Sequence, residues 1–191
     1  MTTVSDVRVV RTRDALRQAM TELAAESPLD AITVRAIAAR AGIGYATFFR
    51  HYADKEALLA ELADKLTREF MVEVRPLLLQ RDRRGAARTI ITFVSGHLPI
   101  YKALIAGGSG ETVRAEMLRQ TLVTMAATRQ RQPEGPLDDF IFFHIVSTIL
   151  NQLAWWLRHE GLIDAEAMAE IIERTVLTPV GDLRQTPPKG V

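Results

Sequence analysis

Apolar residues return every three or four positions along most of the chain, the spacing that lines one face of an α-helix. No stretch shows the two-residue alternation of a half-buried strand, so the pattern predicts an all-α protein of about nine helices. Leu16, Ala19, Met20 and Leu23 mark an amphipathic helix over residues 8–26, closed by Ser27-Pro28. Leu58, Leu59, Leu62, Leu66 and Phe70 mark a long one over 54–74, which Pro76 is expected to kink or stop. Ile90, Ile91, Phe93, Val94 and His97 mark 86–98, and Pro99 opens a short helix to 105. Val113, Met117, Leu118, Leu122 and Met125 mark 111–131. Asp164 is the expected cap of a last helix striped by Met168, Ile171, Ile172, Thr175 and Val176. Gly107-Gly108-Ser109-Gly110 and Gln132-Pro133-Glu134-Gly135-Pro136 read as loops, and the Pro/Gly-containing end from Thr178 shows no helical pattern.

Residues 138–160 break the one-faced rule. Phe140, Ile141, Phe142, Phe143, Ile145, Val146, Ile149, Leu150, Leu153, Trp155, Trp156 and Leu157 occupy nearly every angular sector. A helix apolar all round must be buried on more than one side. One side can face its own domain; in a chain of this size the other most simply faces a second subunit. Gly161 is expected to end it.

The stretch 33–55, TVRAIAARAGIGYATFFRHYADK, has a different texture. Thr33 suits an N-cap, 34–40 offers a short helix of small residues, and Gly42 can stop it in the left-handed conformation. Ile43 is an apolar plug for the turn. Residues 44–52 form a second helix, and Asp54 can cap the third. Two short helices across a tight turn containing glycine are a helix-turn-helix, whose second helix enters the DNA major groove.

On Thr33-Val34-Arg35, Ile37-Ala38, Ala41-Gly42-Ile43, Thr47-Phe48-Phe49-Arg50-His51-Tyr52 and Asp54-Lys55-Glu56 with Leu58-Leu59, the stretch resembles the DNA-binding unit of the TetR/AcrR family of transcriptional regulators. The resemblance divides the chain into a helix-turn-helix domain over 10–70 (motif 33–52), a ligand-binding and dimerisation domain over 71–178, and a disordered tail over 179–191. It implies a homodimer bound to a palindromic operator, with half-sites about 34–36 Å apart or a multiple of that. Tyr45, Ala46 and Thr47 open the second helix, where base contacts are made, and Gly44 lets backbone come close to phosphate. By the same resemblance Thr33, Arg35, Lys55 and His51 approach phosphates, with Arg11 or Arg13 as further candidates. One departure stands out. The family usually has Tyr then Phe where this chain has Phe49 and Tyr52. The tyrosine hydroxyl there commonly touches phosphate, so that contact is not carried over.

Composition narrows the rest. Of 191 residues 48% are hydrophobic and 25% charged, enough for a core. Net charge is only +1, so any basic face is local. Cysteine is absent, which excludes disulfides and thiolate metal sites. No apolar run near the ~20 residues of a membrane span is read, nor a signal-peptide core, and a cytoplasmic location fits. His51, His97, His144 and His159 show no metal-ligand spacing, and the Gly107–110 loop lacks a phosphate-loop lysine. No metal, cofactor or enzymatic activity is expected.

The helices after residue 70 carry aromatics, methionines and sparse polar groups suited to a pocket for a small apolar or amphipathic effector. Phe93, His97 and Tyr101 come from one segment, Met117, Thr121 and Met125 from the next, and Phe143, His144, Ser147, Asn151 and Trp155 from the apolar helix. His144, Ser147 and Asn151 share a stripe that either lines the cavity or satisfies the dimer interface. By resemblance the interface is made by the last two helices, through Ile141, Ile145, Thr148, Gln152 and Trp156 on one and Met168, Ile171, Ile172 and Thr175 on the other. The function implied is a repressor released from its operator by the effector, through a tilt of the long helix. The rivals are a DNA binder without an effector and a helical interaction module that has lost operator binding.

Overall fold

Four helix starts are fixed by the same side-chain device. Thr33 Oγ1 accepts from the Ala36 N–H at 3.2 Å, and Asp54, Asp82 and Asp164 accept through Oδ1 from Ala57, Gly85 and Ala167 at 2.7, 2.8 and 2.8 Å. The computed structural model describes residues 4–106, 115, 118, 119, 121–123 and 136–185. Its helices are α1 (Val4–Glu26), α2 (Val34–Arg40), α3 (Tyr45–Phe48), α4 (Lys55–Leu79), α5 (Arg83–Gly96), α6 (Leu98–Tyr101), α7 (Pro136–Arg158), α8 (Ala165–Ile172) and α9 (Thr178–Gln185). A 3-10 turn at Leu29–Ala31 joins α1 to α2, and π turns extend α6 over Lys102–Ala106 and α8 over Glu173–Leu177. No strand occurs among the described residues.

The first four helices form a head, and α5 to α9 form a body behind it. Helix α5 lies between α4 and α8, α7 packs on the π turn after α6, and α1 rests on both α2 and α6. One apolar core runs from α1 to the π turn after α8, through Leu16 and Met20 in α1, Ile90 and Val94 in α5, Leu153 in α7 and Ile172 in α8. Burial of this kind is the main favourable term in folding.

Three expectations change. Helix α4 does not stop at Pro76 but continues to Leu79. Proline removes the bond to the carbonyl of residue 72, and Val72 is 74% exposed, so water can serve that carbonyl. The helix ends instead at Arg81, whose φ of 60° is left-handed; Arg81 and Asp82 donate back to Leu78 and Leu77. The end of the chain is helical over Thr178–Gln185, contrary to the tail expected from 179. Val180 is buried there, and Arg83 Nη1 donates to Asp182 Oδ1 at 3.3 Å, so tertiary contact overrides the poor propensity of Pro179 and Gly181. Residues 186–191 lie outside the described residues. Finally, Leu137–Arg158 is long and apolar enough, by length and composition, to cross a membrane: its 22 residues hold an 18-residue stretch of mean hydropathy 1.4. The sequence reading missed this because Asp138, Asp139 and Arg158 interrupt the ends of the run. One side of the helix packs in the core through Ile149, Leu153 and Leu157.

Of the helix expected over 111–131, residues 115, 118, 119 and 121–123 are described, and all are helical. Both expected glycine loops lie outside the described residues, apart from Pro136, which begins α7.

Candidate nucleic-acid interface

The turn between α2 and α3 is set by hydrogen bonds that only a left-handed residue permits. Gly42 has φ 68°; its N–H donates to Ala39 O at 3.1 Å, and the Ile43 N–H donates to Ala38 O at 3.0 Å. Ile43 then packs against the core as the plug. Helix α3 is a single α-turn, Tyr45–Phe48, shorter than the helix expected over 44–52. Beyond it the Arg50 and His51 N–H groups bond three residues back, to Thr47 and Phe48, tightening the coil up to Tyr52.

Residues 33–55 put their candidate contacts outward. Thr33, Arg35, Gly44, Tyr45 and Ala46 are exposed, and Thr47, His51 and Lys55 are half-buried. The Arg35 guanidinium lies 5.8 Å from the Tyr45 ring centroid, bringing a cation and a phenol together at the mouth of the turn. Phe49 is also exposed and meets Tyr45 edge-on at 5.2 Å. Lys55 Nζ donates to Leu29 O at 2.8 Å, tying the start of α4 to the linker before α2. Two of its three ammonium protons remain for another acceptor. Arg11 is exposed, whereas Arg13 is half-buried and turned toward Glu61.

Behind this surface the head is clamped by charge. Glu61 on α4 accepts from Tyr52 Oη at 3.0 Å and from the Arg17 guanidinium, and its other oxygen lies 3.4 Å from Arg13 Nη2. Arg13 also sits over the Tyr52 ring, 5.4 Å from its centroid. Tyr52 is 4% exposed, and burial together with Glu61 pushes its hydroxyl up to about 12. At the other end of the head, Arg40 pairs with Glu26 at 2.7 Å and Glu22 at 3.4 Å, fixing α2 on α1. Sequence reasoning did not single out Glu61 or Arg17. Their partners are 44 and 9 residues apart along the chain, and no local pattern announces such a meeting.

Residues 16–62 match the family model described as bacterial regulatory proteins, tetR family. Over these residues the chain carries a DNA-binding unit of the tetR-family type. It is 45% identical over 71 residues to the uncharacterised HTH-type transcriptional regulator YxbF of Bacillus subtilis (strain 168), a match covering 32% of this chain. The chain spans about a fifth (19%) of that curated relative's length. Solved structures extend the likeness over the body as fold. A TetR transcriptional regulator from Streptococcus agalactiae 2603V superposes with a TM-score of 0.62 at 22% identity, over 91% of this chain and 97% of that one. RolR in complex with resorcinol gives 0.55 at 19% identity, over 95% and 97%.

In the TetR-type body, α4, α5 and α7 enclose an apolar cavity of about 70 Å³. Its walls include Phe70 and Val74 from α4, Ile90 and Val94 from α5, and Val146, Ile149 and Leu153 from α7. Tyr101 and Thr121 line it. Phe93 is buried beside it against Phe70 and Tyr101, and His97 stacks on Phe93 with Nδ1 2.9 Å from the Phe93 carbonyl oxygen. Met117 and Met125 lie outside the described residues. The α7 candidates fall elsewhere: Phe143, Asn151 and Trp155 are exposed, and His144 and Ser147 are half-buried outside the cavity wall. The reason is angular. The face through Val146, Ile149 and Leu153 turns inward, and the stripe 144, 147, 151 and 155 is roughly opposite it.

The same geometry redistributes the expected interface residues. Ile141, Met168 and Ile172 are buried within the chain itself. Ile145 and Ile171 pack against the core edge, and Trp156 Nε1 donates to Ile163 O at 2.8 Å. Thr148 is half-buried, with Oγ1 3.5 Å from His144 Nδ1. Gln152 Nε2 donates to Thr175 Oγ1 at 2.9 Å, joining α7 to the π turn after α8, while Gln152 Oε1 is buried with no partner among the described residues. Outward on α7 stand Phe140, stacked on His144, and Trp155, stacked on His159.

Proposed function

We propose that this TetR-family DNA-binding transcriptional regulator acts as a homodimer on a palindromic operator, most simply as a repressor released by a small apolar effector. The observation that carries the reading is the turn itself: Arg35, Gly44, Tyr45, Ala46 and Thr47 are presented together on one outward surface. Arginine and lysine there neutralise phosphates, and the start of α3 meets base edges. Thr33 spends its oxygen on the cap and keeps its O–H for a phosphate.

Dimerisation is supported by the uncovered outward face of α7. Phe140, Phe143 and Trp155 are 58%, 50% and 42% exposed there. Large exposed apolar side chains in a row mark an interface. The effector reading is supported by the cavity, whose only polar side chains among the described residues are Thr67, Tyr101 and Thr121. An uncharged molecule with at most one or two hydroxyls suits such walls. Resorcinol in RolR is of this kind. At about 70 Å³ the cavity has to widen to admit a ring, and α4 is the wall able to transmit that to the head.

The test is a gel shift of wild type, Thr47→Ala and Lys55→Ala on the DNA upstream of the protein's own gene. Wild type should bind at low salt and both variants should bind more weakly. Equal binding by all three removes the assigned contacts. Release by uncharged aromatic or aliphatic compounds, and not by charged ones, checks the effector.

A further inference from the structure

The recognition segment cannot hold its own angle. Helix α3 is four residues long, and the coil beyond it is tightened by three-residue-back bonds. Isolated helices of this length have no stability in water. It is therefore held from behind, by Phe48 at 0% exposure and Tyr52 at 4%. Packing fixes depth well but orientation less strictly, since a ring can rock in an apolar seat. Among the described residues, the side-chain hydrogen bond that leaves 45–52 runs from Tyr52 Oη to Glu61 Oε1.

The Glu61 oxygen that receives Tyr52 also receives Arg17 of α1. Its second oxygen faces Arg13, and Arg17 reaches Asp14 as well. One carboxylate thus joins α1, the end of the recognition segment and α4. With Glu61 25% and Arg17 17% exposed, this is a shielded, charge-assisted cluster, unlike a mobile surface pair. Glu61 carries the wrong charge to touch phosphate, so its effect on DNA must pass through its neighbours.

We propose that Glu61 is a positioning residue for DNA recognition: by holding Tyr52 Oη and Arg17 on one oxygen, it fixes the recognition segment against α1 and α4 and sets discrimination between operator and unrelated DNA. This rests on the DNA-binding reading above. Loss of Glu61 lets residues 45–51 rock relative to the phosphate-facing residues of α2. Phosphate attraction survives rocking, because it depends on charge and not on register. Base contacts do not survive it.

The experiment compares wild type, Glu61→Gln, Tyr52→Phe and the double variant. Each is titrated against an operator chosen from a random-sequence DNA pool and against unrelated DNA of equal length at one salt concentration. Amide hydrogen exchange is followed in the free proteins. Glu61→Gln should lower the ratio of specific to non-specific affinity by tenfold or more, with non-specific affinity unchanged or slightly raised. Tyr52→Phe, which keeps the ring and the net charge, should lower the ratio three- to tenfold. The double variant should be no worse than Glu61→Gln alone. In the free protein, exchange should quicken at 45–52 and stay as in wild type over α5, α8 and α9.

Equal loss of both affinities, additive effects in the double variant, or an unchanged ratio would overturn the proposal. So would unchanged exchange at 45–52, a result that stands even if no operator is found. Absence of any specific site for wild type would instead count against the DNA-binding reading.

Discussion

Gly42→Ala and Gly44→Ala separate the two tasks of the turn. Gly42 has φ 68° and a methyl group there meets nothing within 4 Å, so the whole penalty is backbone strain. Left-handed backbone costs an L-residue roughly 1–2 kcal/mol. The restricted unfolded chain returns about 0.4–1 kcal/mol. The net is a destabilisation of about 1 kcal/mol, or a fall in Tm of roughly 2–4 °C for a chain of this length. Gly44 has φ −68°, which any residue adopts, and a methyl there lies 3.6 Å from Thr47 Oγ1 in ordinary contact. Replacing glycine by alanine at an N-cap costs roughly 0.5–1 kcal/mol, which the unfolded-state gain roughly offsets. Its Tm should stay within about 1–2 °C of wild type. DNA affinity should sort the other way. On the proposed DNA contacts the methyl at 44 thickens the surface offered to phosphate, and a tenfold loss, about 1.4 kcal/mol, is expected. Gly42→Ala should bind within about threefold of wild type, on the same scale. Thermal unfolding by circular dichroism and anisotropy titration of labelled operator supply the two readings. If Gly44→Ala destabilises as much as Gly42→Ala, or binds DNA like wild type, the division of labour is refuted.

Three other outcomes follow from the same geometry. Asp54→Ala removes the acceptor of the Ala57 N–H and should cost about 1 kcal/mol in chemical denaturation. Tyr52 has its hydroxyl held near 12 in the fold against about 10 when unfolded, so the neutral form is what the fold favours. Its contribution is complete below about pH 10 and is lost as pH rises toward 12; Tyr52→Phe should flatten that part of an alkaline unfolding curve. Arg35→Ala should weaken binding to operator and unrelated DNA alike and reduce the slope of log K against log salt by about 1, measured by anisotropy at several salt concentrations.

Legibility in the sequence divided by range. The caps at Thr33, Asp54 and Asp164, the stop at Gly42 and the stop at Gly161 were all readable, because each depends on residues within one turn of the chain. The exposed set around Gly44 and Tyr45 was readable from the motif. The faces of α7 were not. Periodicity shows that Val146 and Trp155 point in opposite directions, but with apolar residues all round it does not say which direction is inward. Val146 therefore proved to be core and Trp155 surface. The Glu61 cluster was hidden for another reason: a carboxylate on an amphipathic helix looks solvated until the helix packed beside it is known. The terminal helix α9 was hidden by Pro179 and Gly181, whose local preference yields to the seat found by Val180.

The unbroken core from α1 to the end of α8 bears on how interchangeable such heads are. A chimera joined at residue 70 looks natural, since the motif ends before it. Yet Leu16 and Met20 share their core with Ile100 and Leu104, and α1 leans on α6 as well as on α2. A foreign head grafted there would arrive without a matching surface for the α6 corner. Transplants that carry Leu98–Tyr101 along with residues 4–79, or that keep the native α1, preserve that seam. On the proposed base contacts, specificity is thus exchanged more safely by replacing Tyr45, Ala46 and Thr47 in place than by trading domains.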